Sequence, residues 1–252
     1  MSGHSKWSTI KHGKAVTDAR RGKLFTKLAK EIIVAVREGG ADADSNFRLR
    51  LAIQRAKDNN MPSNNVERAI NRATGSDSDG TRMEEVTYEG YGPGGTAILL
   101  QTLTDNRNRT VSDVRSTFTK LGGNLAEAGA VAWQFEQKGM VVVGSTGDHD
   151  ELTLAAIDAG ADDFETIDSN LHAYSSPEIL EKLRKSLVEY GAEIQSTELT
   201  MVPKNTVPLD EKTAKQALNL LDQLEELDDT QKIFSNADFT DEILSRYGND
   251  GD

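Results

Sequence analysis

Between Lys23 and Arg37 the apolar residues Leu24, Phe25, Leu28, Ile32, Ala35 and Val36 recur every third or fourth position, the spacing that gathers side chains on one face of an α-helix. Lys23, Lys27, Lys30 and Arg37 fall on the opposite face. Gly39-Gly40 closes the pattern, because glycine enters the left-handed conformation of a helix C-terminus at little cost. A second helix is expected over residues 45–58, where Arg48 and Arg55, and Arg50 and Lys57, repeat at heptad spacing. A third follows Pro62, with Ser63 or Asn64 as its cap and Glu67 favouring its first turn. Residues 1–75 thus predict a small helical domain.

Thr74 to Gly80 is small, polar and rich in turn formers, and predicts a linker. Beyond it the period shortens: Glu85 to Tyr91 and Thr96 to Thr104 flank Gly92-Pro93-Gly94-Gly95 and predict a hairpin. Helices are expected over 110–121, 151–159, 177–190 and 211–227, and strands over 131–136, 140–143, 164–168, 171–175, 193–202 and 206–209. From Met140 onward the order is β-α-β-β-α-β, the ferredoxin-like plan. The segments 81–136 and 204–240 predict a second such domain, interrupted by 137–203, and 241–252 is left as an acidic tail. The expected fold class is therefore α+β and multi-domain: an N-terminal three-helix basic bundle followed by two ferredoxin-like α/β domains, one inserted into the other.

Charge divides the chain. Residues 1–75 carry 15 Lys and Arg against 7 Asp and Glu, and the remainder carries 14 against 34, so a net +8 precedes a net −20. The densest basic stretch holds Lys6, Lys11, Lys14, Arg20, Arg21, Lys23, Lys27 and Lys30 against the single acid Asp18. That split points to a polyanion met through one end of the molecule. Each Lys or Arg that neutralises a phosphate releases condensed counterions and gains affinity without reading sequence. Trp7 and His12 lie among these charges, where they can stack on unpaired bases. The plainer alternative makes Trp7 a plug between the arm and its bundle, and the lysines a solvated face. Asp105-Asn106-Arg107-Asn108-Arg109 either caps the helix it precedes or offers Arg107 and Arg109 to phosphates or to a partner carboxylate.

Other chemistries find little support. The chain has no cysteine, which excludes disulfides, cysteine-ligated zinc, iron–sulfur clusters and thiol nucleophiles. The four histidines, at 4, 12, 149 and 172, are too scattered for a catalytic or metal-binding constellation, and His149 is explained by an acid-rich helix start. The Gly90 to Gly95 motif resembles a phosphate loop only superficially, because a strand follows where a helix N-terminus is needed. No catalytic residue, metal, cofactor or small-molecule substrate is expected. No apolar run approaches the roughly 20 residues that span a bilayer. The start also lacks the apolar core of a secretory signal, so no membrane partner and a cytoplasmic location are expected. Zinc-finger spacing, a sustained zipper and a recognition helix after a tight turn are not visible, which favours recognition of backbone or shape and leaves DNA and ribosomal RNA both open. The acidic half is either a solubilising face or a docking surface for a basic protein such as a ribosomal protein or a polymerase subunit. In the second case the chain is a protein-interaction adaptor.

Five stretches resemble the YebC/PmpR family, whose eukaryotic relatives include the mitochondrial translational activator of cytochrome c oxidase subunit one. They are Gly3-His4-Ser5-Lys6-Trp7 with Ile10-Lys11; Asp18 to Arg21 leading into Phe25, Leu28 and Glu31-Ile32; Asn60-Met61-Pro62-Ser63-Asn64; Tyr88 to Gly95; and Leu103 to Arg109. The resemblance implies one helical and two α/β domains, with the third inserted into the second. It also implies a cytoplasmic, non-enzymatic regulator of gene expression, commonly described as a DNA-binding transcriptional regulator. Some members instead look like translation factors acting at the ribosome on proline-rich nascent sequences.

Overall fold

The computed structural model describes residues 18–75, 83–144, 149–167 and 169–249. These form two compact units, one comprising 18–27, 83–136 and 202–249, the other 28–75, 137–167 and 169–201 without the undescribed residues 145–148.

Three helices come first: α1 (Asp18–Gly39), α2 (Phe47–Asp58) and α3 (Ser63–Thr74). Helix α1 begins earlier than its apolar stripe predicted and stops where the glycines do: Gly40, at φ +86°, donates its N–H to the Val36 carbonyl at 2.8 Å. Asn46 joins α1 to α2. Its side-chain oxygen accepts from Leu49 N at 3.0 Å and caps α2, while its amide nitrogen donates to the carbonyls of Ala35 and Gly40 at 2.7 and 2.8 Å. The cap expected at Ser63 or Asn64 is corrected. Pro62 holds the cap position of α3 in extended geometry (φ −58°, ψ 137°) without a side-chain bond, and Ser63 is the first helical residue. Only the four residues 59–62 link α2 to α3, with Asn60 left-handed at φ +56° and Met61 buried.

The second unit also contains α5 (His149–Ala159), β5 (Asp163–Ile167), β6 (Asn170–Ser175), α6 (Leu180–Glu189) and most of β4 (Phe135–Val143) and β7 (Ile194–Pro203). The strand order β5-β6-β4-β7 is that of a ferredoxin-like sheet. Val141, Val143, Leu171 and Ala173 pack with Leu152, Ala156, Leu180, Leu183 and Leu187 into its core. Each such large side chain contributes about 1.5–3 kcal/mol by leaving water. Of the two strands expected over 131–136 and 140–143, Ala132–Gln134 is a 3₁₀ turn and the part from Phe135 onward is one strand, β4. Gly139 does not break it: a Cβ there would lie 2.8 Å from Leu180 Cβ, so glycine admits the close approach of α6.

The first unit is built on β1 (Glu84–Tyr91), β2 (Ala97–Thr104), α4 (Arg107–Lys120), β3 (Asn124–Leu125), β8 (Val207–Pro208), α7 (Glu211–Glu225), β9 (Thr230–Ser235), β10 (Ala237–Asp238) and α8 (Asp241–Asn249). Its main sheet, β3-β1-β2-β9, is antiparallel throughout. Its strand order differs from the ferredoxin-like one expected for this domain, because the chain enters on a hairpin whose two strands form the central pair and runs β-β-α-β before α7 and β9 complete the sheet. Pro93–Gly95 turns the hairpin with Gly94 and Gly95 at φ +74° and +75°. A Cβ on Gly94 would meet Leu209 at 2.5 Å, so the motif is a packed turn. Val114, Phe118, Leu218, Leu221 and Leu224 fill the core, together with Ile243 and Leu244 of α8, a helix formed by residues that composition alone groups with the acidic tail. At the root of the intervening segment Lys204 N donates to Gln134 O at 2.8 Å, and the Asn236 amide to Gln134 Oε1 at 3.0 Å.

Candidate nucleic-acid interface

Of the expected phosphate-binding residues, Lys6, Trp7, Lys11, His12 and Lys14 lie outside the described residues, as does the side chain of Arg20, whose backbone belongs to α1. Arg21 is exposed. Lys23 and Lys27 are engaged within the protein. Lys27 Nζ donates to Glu225 O at 2.6 Å, and Lys23 Nζ stands 3.4 Å from Glu226 O and 3.5 Å from the Asp228 carboxylate. The last carbonyls of α7 have no partners within their helix and carry its negative dipole end, so ammonium groups are favoured there. The basic stripe of α1 is therefore partly occupied by the acidic end of α7. Lys30, on the same helix, is half-buried.

The two arginines in the first turn of α4 divide. Asn106 caps the helix by accepting from Arg109 N at 3.1 Å. Arg109 Nη2 donates to Asp105 and Asp229 at 2.9 and 2.7 Å. Asp229 is buried, with the hydroxyls of Thr110 and Thr104 at 2.8 and 3.3 Å from the same carboxylate oxygen. Arg109 is thereby committed to holding β9 beside α4. Arg107 is exposed and forms no ion pair among the described residues.

Two features escape sequence reasoning. A helix following a tight turn does exist: α3 exposes Asn64, Arg68, Asn71 and Arg72 after its four-residue connection, the length used in helix-turn-helix units. Arg68 is held at 2.8 Å from Asn65 Oδ1. Asn and Arg are the side chains suited to bidentate contacts with base edges. The signal was Asn60-Met61-Pro62, in which asparagine tolerates the left-handed backbone and proline starts the next helix.

The second feature is Glu89, a buried carboxylate that accepts from the backbone N–H groups of Gly129, Val131 and Ala132 at 2.6, 2.7 and 2.8 Å. Burial pushes its pKa up, and the three N–H donors more than reverse this, leaving it below the ordinary value. The loop thus fixed carries Trp133, whose indole donates to Ala130 O at 3.1 Å, as does the Tyr91 hydroxyl at the same distance. Among the described residues no group of His, Asp or Glu could hold a metal, and no helix is long and apolar enough to cross a membrane.

The fold defines an α+β protein in which a helical N-terminal segment precedes two four-stranded sheets with helices packed on them. Within that class the chain belongs to the TACO1/YebC family: residues 5–76 match the model of the family's N-terminal domain and residues 83–237 that of its second and third domains. A relative from Dehalococcoides mccartyi, 56% identical over 98% of both chains, and one from Halothermothrix orenii, 52% identical over 97% of this chain and 98% of that one, are each named a probable transcriptional regulatory protein. The crystal structure of a conserved hypothetical protein from Aquifex aeolicus is 46% identical and superposes with a TM-score of 0.86 over 94% of this chain and 98% of that one.

Proposed function

We propose that this chain is a non-enzymatic, cytoplasmic regulator of gene expression that grips nucleic-acid phosphates through its N-terminal domain. The charge split carries the reading: 15 Lys and Arg against 7 acids within residues 1–75, ahead of a strongly acidic remainder. Lys6, Lys11, Lys14, Arg20 and Arg21 are the phosphate contacts, and Trp7 and His12 stack on accessible bases. Lys30 adds to them, while Lys23 and Lys27 contribute only when released from α7. Arg107 is the contact outside the arm. The exposed Asn and Arg side chains of α3 favour duplex DNA as the target, in keeping with the names of the relatives. Residues 81–136 with 204–240, and 137–203, serve as two α/β domains that orient the basic end or engage a protein machine.

A second reading, a ribosome-associated translation factor binding ribosomal RNA, is favoured by two exposed aromatics, Trp133 on the Glu89-fixed loop and Tyr91 at the end of β1, which suit unpaired bases. Binding to a duplex DNA and to a ribosomal RNA fragment across a salt series, with ribosomes sedimented in parallel, separates the two. Neutralising Lys6, Lys11, Lys14 and Arg21 together should flatten the salt slope by about three to four. An unchanged slope removes the phosphate-grip reading and leaves the adaptor.

A further inference from the structure

Trp133 is 66% exposed and Tyr91 38%, and they are the only large hydrophobic side chains so exposed among the described residues of the first unit. An exposed indole gains little from folding, yet this one is tightly placed. Its loop hangs on three hydrogen bonds to Glu89, its ring N–H is spent on Ala130 O, and Lys204 Nζ donates to its own carbonyl at 2.9 Å. Tyr91, on β1, spends its hydroxyl on the same Ala130 oxygen. With both polar tips satisfied, the rings have only their faces to offer.

The surroundings decide what those faces take. A protein anchor needs a pocket lined by aliphatic side chains. Here the loop is made of Ala126, Glu127, Ala128, Gly129 and Ala130, and none of the other large exposed hydrophobics belongs to this unit. What adjoins Trp133, at its backbone carbonyl, is an exposed ammonium, Lys204. A fixed aromatic face beside a cation is the arrangement by which single-stranded nucleic acids are held, the ring stacking on a base and the cation meeting its phosphate.

We infer that Trp133 and Tyr91 form a stacking platform for an unpaired nucleobase, with Lys204 on the adjoining phosphate. This rests on the nucleic-acid reading above and adds to it a contact that a closed duplex does not supply. The carbonyl bond uses one of three Lys204 donors, so the ammonium can serve both.

The test uses the full chain carrying Trp7→Phe, which leaves Trp133 as the only tryptophan of the original two. Its emission is followed during titration with oligo(dT), oligo(U) and a duplex of equal length, with anisotropy of the labelled strands reporting total binding. Saturable quenching by one or both single strands and none by the duplex is expected, and the stronger of the two identifies DNA or RNA as the source of the base. In the otherwise unaltered chain, Trp133→Leu should weaken single-strand binding about tenfold, Trp133→Phe should restore most of it, and Lys204→Ala should lower the salt slope by about one. Anisotropy that shows single strands bound while Trp133 emission stays constant overturns the platform and leaves the basic arm as the site. Absence of any binding overturns both readings. Unchanged oligonucleotide affinity in Trp133→Leu, with ribosome co-sedimentation lost, assigns the aromatics to a protein contact instead.

Discussion

The ammonium of Lys27 donates a 2.6 Å hydrogen bond to the carbonyl of Glu225, the last residue of α7. A side chain whose position on α1 suggests a phosphate contact is thus a cap for a helix far away in sequence. Lys27→Met should lower stability by about 1 kcal/mol in chemical denaturation while leaving the salt slope of nucleic-acid binding unchanged. Arg21→Ala, on the exposed part of the same helix, should do the reverse and reduce the slope by about one. Equal slopes lost in both variants would mean that Lys27 leaves its carbonyl to reach phosphate.

Glu89 makes loop order depend on pH. Its folded pKa lies below the ordinary 4.5, so its stabilisation is complete above that value and disappears as the pH falls through the lower, folded one. Glu89→Gln turns an amide N–H₂ towards backbone donors and should cost about 2 kcal/mol at neutral pH. The gap between variant and parent should narrow as the pH falls below 4.5 and through the lower, folded value. Emission from Trp133, in the Trp7→Phe background, reports the loop directly, and a gap that persisted at acid pH would count against the charge as its cause.

Buried Asp229 and exposed Arg109 form a joint. Asp229→Ala removes the carboxylate shared by Arg109, Thr110 and Thr104, leaves Arg109 only its bond to Asp105, and should cost about 2 kcal/mol in unfolding free energy. Arg109→Ala should also destabilise, whereas Arg107→Ala should leave the unfolding midpoint in place and act, if anywhere, on binding.

Asn46 reverses a familiar ranking. Aspartate normally equals asparagine as a helix cap. Here the side-chain nitrogen donates to Ala35 O and Gly40 O, and a carboxylate would face both carbonyls with like charge. Asn46→Asp should therefore be at least as destabilising as Asn46→Ala, each by about 2 kcal/mol, when their denaturation midpoints are compared.

What the sequence disclosed was chemistry that acts locally. The Gly92 to Gly95 turn, the Gly39-Gly40 stop and the apolar periods of α4 and α7 depend on neighbours within a few residues, and each was legible. Gly139 was not, because its reason is the approach of Leu180 from another element. Trp133, expected within a strand, sits in a short 3₁₀ turn whose geometry is dictated by Glu89, more than 40 residues earlier. Nothing distinguishes Glu89 from Glu84 or Glu85 until β1 is paired. The stripe on α1 looked uniformly basic, and only the placement of the α7 terminus separates Lys23 and Lys27 from Arg21.

The bond from Lys204 N to Gln134 O closes the point at which the chain leaves the first unit and returns to it. The two ends of the excursion are tied by a backbone hydrogen bond, so its length is invisible to the sheet that supports it. Breakpoints there would let a gene shorten, swap or transplant the excursion without rerouting a strand.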